Sequence, residues 1–181
     1  MLTSMTNNLK RPTRTQPRLG IDFGGVIIPM VGRRRHEDDM EFSEQFLSTE
    51  PQRDAIETVR ELVQVFRGNV WIVSKAGHRT EQLTRRWLEK RQFFVLTGMQ
   101  DDHLRFCRER PGKEAICREL RITHFIDDRI HVMQLLKNTV DHLYLFGEKA
   151  ANRSAAKWVV LVQNWDEAFK AIVRDLQSCV L

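Results

Sequence analysis

The stretch Leu19 to Ile28, LGIDFGGVII, decides how this chain is read. Leu19 to Phe23 is a strand-sized apolar run with one carboxylate, Asp22, near its end, and Gly24-Gly25 closes it. Taken alone, Asp22 has two readings. It is either a strand-end carboxylate that accepts hydrogen bonds from the following turn, or a group placed there for chemistry.

Outward from this run, short apolar segments alternate with longer amphipathic ones. Asn69 to Val73 (NVWIV) is the second strand-like run. It follows a helical stretch from Pro51 to Phe66 with Ile56, Val59, Leu62, Val63 and Phe66 on one face. FFVLTG, ending at Gly98, is expected as the third strand, ITHFI (residues 122 to 126) as the fourth and DHLYLF (141 to 146) as the fifth. KWVVLV (157 to 162) makes a sixth, before a last helix over Asn164 to Gln177. A helix over Arg79 to Arg91 separates the second and third runs. Strands joined by helices of this length need right-handed crossovers. The expected fold class is α/β, a three-layer αβα Rossmann-like domain with a mainly parallel sheet. In such sheets ligands bind outside the carboxyl ends of the strands, which directs attention to Asp22, Ser74 and Asp127-Asp128.

At 181 residues the chain has room for one domain with a buried core. The expected division is a basic disordered arm over residues 1 to 18 and a single domain over 19 to 181, with a small insert at residues 29 to 50. Hydrophobic residues make up 41% and charged residues 29%, proportions of a soluble protein, and no apolar run reaches the roughly 18 residues a membrane span needs. Cys107, Cys117 and Cys179 lack the spacing of a zinc or redox motif, so reduced thiols in the cytoplasm are expected. The net charge of +5 favours anionic partners. Much of the excess lies in the arm, where Lys10, Arg11, Arg14 and Arg18 precede any acidic residue.

Asp22, Asp127 and Asp128 brought into one crevice repel one another unless a cation lies between them. Mg²⁺ takes hard oxygen ligands at about 2.0–2.1 Å, and one or two carboxylates with water and substrate phosphate satisfy it. Lys113, opening the helix of PGKEAICREL, and Ser74 would then hold the oxygens of a transferring phosphoryl group.

The ordered set IDFGGV, WIVSKAG, RPGKEAI and HFIDDR, within residues 19 to 135, resembles the four motifs of the haloacid dehalogenase-like hydrolase superfamily. That resemblance implies a Rossmann-like core, magnesium and an aspartyl-phosphate intermediate. It makes Asp22 the nucleophile and a metal ligand, and Ser74 the hydroxyl that binds the phosphoryl group. It makes Lys113 the cation that neutralises both. Asp128 becomes the fourth-motif metal ligand with Asp127 beside it, and Gly24 gives its backbone carbonyl to the metal.

Gly24 is also the departure. Most phosphatases of that superfamily carry a second Asp there, which protonates the leaving group and activates water, a role typically worth about 10²–10⁴-fold. The expected function is an Mg²⁺-dependent phosphohydrolase acting on a phosphorylated small molecule or macromolecule. The alternative is a catalytically weak or inactive protein of the same fold that binds or regulates. Both gaps where large cap domains fall are short, which resembles a capless or minimally capped member with an open site. His78 and His131 are candidates to replace the missing acid-base group. Arg33, Arg34, Arg35 and His36 are either a phosphate-binding cluster or a solvated loop paired with Glu37, Asp38 and Asp39. Lys75 is read as a surface lysine, although it follows Ser74 directly. Arg85, Arg86, Lys90 and Arg91 are read as the wet face of their helix. No RNA-binding signature or interleaved aromatic stripe supports a nucleic-acid module.

Overall fold

The computed structural model describes residues 16–31, 40–147 and 157–178. The basic arm through residue 15, the Arg33–Arg35 cluster with its acidic neighbours, and Cys179 lie outside the described residues. The strands are β1 (Leu19–Ile21), β2 (Val70–Lys75), β3 (Leu104–Cys107), β4 (His124–Asp127), β5 (His142–Phe146) and β6 (Val160–Val162). The helices are α1 (Met40–Ser48), α2 (Ala55–Val65), α3 (His78–Lys90), α4 (Phe93–Thr97), α5 (Gly112–Glu119), α6 (Ile130–Leu136) and α7 (Trp165–Ser178). Every pairing between the described strands is parallel, and their order is β3-β2-β1-β4-β5-β6. This is the order of Rossmann-type sheets, in which the winding reverses between β1 and β4.

Strand alternation builds the three layers. Val70 and Ile72 of β2, Ile126 of β4, and Tyr144 and Phe146 of β5 face one core, which α2, α3, α4 and α7 close with Leu62, Trp87, Phe93 and Ile172. Trp71, Val73, Phe125, Leu143 and Leu145 face the other core, closed by Cys117 of α5 and by Val132, Met133 and Leu136 of α6. The central strand β1 needs Gly20, because a Cβ there would meet the Phe125 ring at 2.4 Å. The glycine leaves room for the Phe125 ring of β4 on the face the two strands share.

One strand lies elsewhere than expected. FFVLTG forms α4, and the edge strand β3 is Leu104–Cys107. Phe93 and Thr97 are buried while Val95 is 81% exposed, a spacing of four that puts one helical side inward. Thr97 Oγ1 donates to the Phe93 carbonyl at 2.8 Å, and Gly98 at φ +72° ends the turn. The insert also holds α1, and no helix was expected there.

Candidate active site

The carboxyl ends of β1, β2 and β4 meet around a cavity of about 380 Å³. Asp22 follows β1 directly, and its backbone N–H donates to the Ile126 carbonyl at 2.9 Å, which ties the residue to the end of β4. The chain then turns back tightly. Ile27 and Ile28 both donate to the Phe23 carbonyl, and Gly25 donates to that of Ile28 at 2.7 Å. Gly25 makes this turn at φ +88°, and a Cβ there would meet the Asp128 carboxyl carbon at 2.6 Å. The glycine thus supplies both the left-handed backbone and the space for Asp128. At Gly24 a Cβ meets only Met30 Sδ, at 3.8 Å.

Lys113, in the first turn of α5, is 1% exposed and lies between two carboxylates. Its Nζ is 3.0 Å from Asp22 Oδ1 and donates to Asp127 Oδ2 at 2.6 Å. Burial alone would lower its pKa, but Asp22 and Asp127 outweigh burial and hold Lys113 above the ordinary lysine range. Burial pushes Asp127 well above the usual carboxylate range and Asp22 adds to it, with Lys113 opposing. Asp128 is raised by the same two influences, with Arg129 opposing.

Asp22, Asp127 and Asp128 each offer an oxygen within 4.8 Å of the others. Asp127 is the most engaged with the protein, since its Oδ2 accepts from Lys113 and its Oδ1 from the Arg129 backbone N–H at 2.9 Å. Asp128 Oδ1 is buried and accepts no hydrogen bond, with Arg129 Nε at 3.5 Å. A buried carboxylate oxygen that accepts no hydrogen bond, beside two further carboxylates, is the donor set a hard divalent cation fits. The structure therefore divides the expected pair. Asp127 anchors Lys113, and Asp128 Oδ1 has only the longer ion pair with Arg129.

Ser74, near the end of β2, is buried and lines the same cavity, as does Gly24. Asp22, Gly24, Ser74 and Lys113 thus line one cavity, and Asp127 and Asp128 lie beside Asp22 without lining it. His78 and His131 are exposed and do not line the cavity. Sequence reading passed over Arg110, Arg129, Thr80 and Thr84, which do. Only Arg129 carried a local signal, a cation directly after the Asp pair.

The insert builds a wall. Met30, Val31, Phe42 and Phe46 line the cavity, and Phe46 stacks on Phe23 at 6.2 Å. Helix α3 clamps this wall. Arg79 donates to Ser43 Oγ at 2.8 Å, and Trp87 Nε1 to the Thr49 carbonyl at 2.8 Å. Arg91 pairs with Glu50 at 2.7 Å, so one of the cations read as a wet face is structural.

A carboxylate with a buried lysine against it, a hydroxyl and a further carboxylate at the winding reversal are the kinds of group that phosphoryl binding uses. No family model and no curated protein matches the chain.

Proposed function

We propose that the protein is a magnesium-dependent phosphohydrolase that works through an aspartyl-phosphate on Asp22, in keeping with the motif resemblance to the haloacid dehalogenase-like hydrolases. The observation that carries this reading is Lys113 Nζ held between Asp22 and Asp127 at the floor of a cavity that Ser74 also lines.

Asp22 attacks phosphorus, forming an Asp22 O–P bond as the bond to the leaving oxygen breaks and that oxygen takes a proton from water. Water then attacks the same phosphorus and gives up a proton to the hydroxide left by the first step, the Asp22 O–P bond breaks, and the carboxylate returns with inorganic phosphate released. Lys113 offsets negative charge on Asp22 and on the phosphoryl oxygens throughout, and it is already in place before reaction. Asp127 fixes Lys113, and Ser74 donates its hydroxyl to a phosphoryl oxygen. Asp22, Asp128 and the Gly24 carbonyl would hold Mg²⁺, which when bound supplies Lewis-acid stabilisation of phosphoryl charge. Gly24 offers no proton, which favours substrates whose leaving group departs without one. No helix among the described residues is long and apolar enough to cross a membrane. Cys107 and Cys117 are free and buried, which supports a reducing cytoplasm.

The test is hydrolysis of p-nitrophenyl phosphate with Mg²⁺. Wild type is expected to turn over, and Asp22→Asn to lose at least about 10³-fold. Two equally inert proteins, on this ester and on a phosphometabolite panel, overturn the reading. Mg²⁺ should also raise the melting temperature of wild type and not of Asp128→Asn, a readout independent of turnover. The bare Gly24 favours a second reading, a protein that forms the aspartyl-phosphate and holds it. One fast turnover followed by a stall, relieved by Gly24→Asp, would select it. A Cβ at Gly24 meets only Met30 Sδ, at 3.8 Å.

A further inference from the structure

Two cations of the cavity are not committed to its floor. Lys113 is taken up by Asp22 and Asp127, and Arg129 lies beside Asp128. Lys75 and Arg110 line the same cavity, are half-buried, and have no carboxylate within ion-pair distance among the described residues. They share one rim. Lys75 is in register with Cys107 across the β2–β3 pair, and the Ala76 N–H donates to the Cys107 carbonyl at 3.0 Å. Arg110 sits in the turn that opens α5, where its carbonyl accepts from the Lys113 N–H at 3.0 Å. That turn is pressed against Cys107 as well, since a Cβ on Gly112 would meet Cys107 Cβ at 2.7 Å. Both backbones are therefore fixed, one on each side of Cys107.

A half-buried guanidinium without an anion has lost part of its hydration and gained nothing in return. Its planar fork binds phosphate through two parallel hydrogen bonds, and an adjacent ammonium adds charge. Resting on the phosphohydrolase reading of the floor, we infer that Lys75 and Arg110 form a second anion subsite, and that the substrate is a phosphomonoester carrying a second phosphate group. One phosphate lies at Asp22, Lys113 and Ser74, and the other at the β2–β3 rim. A cavity of about 380 Å³ holds a spacer of sugar or nucleoside size.

Calorimetric titration of the full-length Asp22→Asn protein in magnesium buffer tests this without consuming ligand. The probes are fructose 1,6-bisphosphate against fructose 6-phosphate, and adenosine 3′,5′-bisphosphate against adenosine 5′-monophosphate. At least one bisphosphate is expected to bind about 10- to 100-fold more tightly than its monophosphate, as one added charge-assisted phosphate contact implies. Adding Arg110→Ala should remove most of that gain and Lys75→Ala part of it, with monophosphate affinity kept within about twofold. Arg60→Ala, which deletes an exposed cation on α2, should leave the gain intact. Monophosphate binding with no bisphosphate gain, or a gain that survives both substitutions, overturns the subsite and leaves the phosphohydrolase reading standing. Binding of none of the four overturns both.

Discussion

Strand β4 buries a titratable side chain at each end, His124 at its start and Asp127 at its finish, and the protein handles the two in opposite ways. Asp127 is fully buried and shares Lys113 with Asp22, so charge is kept and answered with charge. His124 is 2% exposed and lies among rings, stacked on His142 at 4.4 Å with Phe66 edge-on at 5.3 Å. Burial, with His142 adding to it, pushes its pKa down to about 3, so its imidazole stays neutral. Its Nδ1 meets Thr123 Oγ1 at 2.8 Å, and no cation or carboxylate pairs with it among the described residues. The difference separates a site from a core. The carboxyl end gathers four side chains that depend on one another for their charge, whereas at the amino end the His124 imidazole stays neutral although its neighbour His142 lies 3.7 Å from the Asp175 carboxylate.

Lys113→Met strikes this contrast hardest. It leaves Asp22, Asp127 and Asp128 without their buried cation and should cost about 3–5 kcal/mol in urea unfolding. Saturating Mg²⁺ should restore part of that loss. Stability equal to wild type would mean that the carboxylates are not held charged.

At the other end the effect depends on pH. The unfolded chain binds a proton on His124 below about pH 6.5, and the folded chain resists it until about pH 3. The unfolded state therefore carries more protons across that window. The stability contributed by neutral His124 is full above pH 6.5 and falls by about 1.4 kcal/mol per unit as pH drops through it. His124→Phe should remove this slope, recovering about 2 kcal/mol relative to wild type between pH 6 and 4.5 in parallel denaturation series. Two parallel pH profiles would break the contrast.

The smallest effects sharpen it within the site. Gly25→Ala places a Cβ on Asp128 at φ +88° and should cost about 1–3 kcal/mol, with weaker Mg²⁺-dependent stabilisation. Gly24→Ala should stay within about 0.5 kcal/mol, since only Met30 Sδ is near. If thermal unfolding ranks the two glycines the other way, the turn is held by something besides Asp128.

Much of this arrangement was legible because strand ends in a doubly wound sheet are marked by composition. An apolar run that stops at Asp22, at Ser74 or at Asp127 announces both its depth and its exit. The misplaced strand shows where that signal fails. FFVLTG is as apolar as a buried strand, and only burial of Phe93 and Thr97 four residues apart identifies it as helical. Strand β3 was hidden for the converse reason. As an edge strand it carries Arg105 between Leu104 and Phe106, and its interrupted pattern matches neither period well. Helix α1 was missed because the charges that precede it mask its apolar side. The division of labour between Asp127 and Asp128 depends on a rotation of one residue at a strand end, which adjacent identical letters do not encode. Arg110 was passed over because its importance comes from having no partner, a property of the surroundings and not of the residue.

Two sides of the cavity depend on α3. Thr80 and Thr84 of that helix line one side directly, and Arg79, Trp87 and Arg91 hold the insert that forms the other. A change in α3 would therefore reach the cavity from two directions, through its own threonines and through the insert residues it holds.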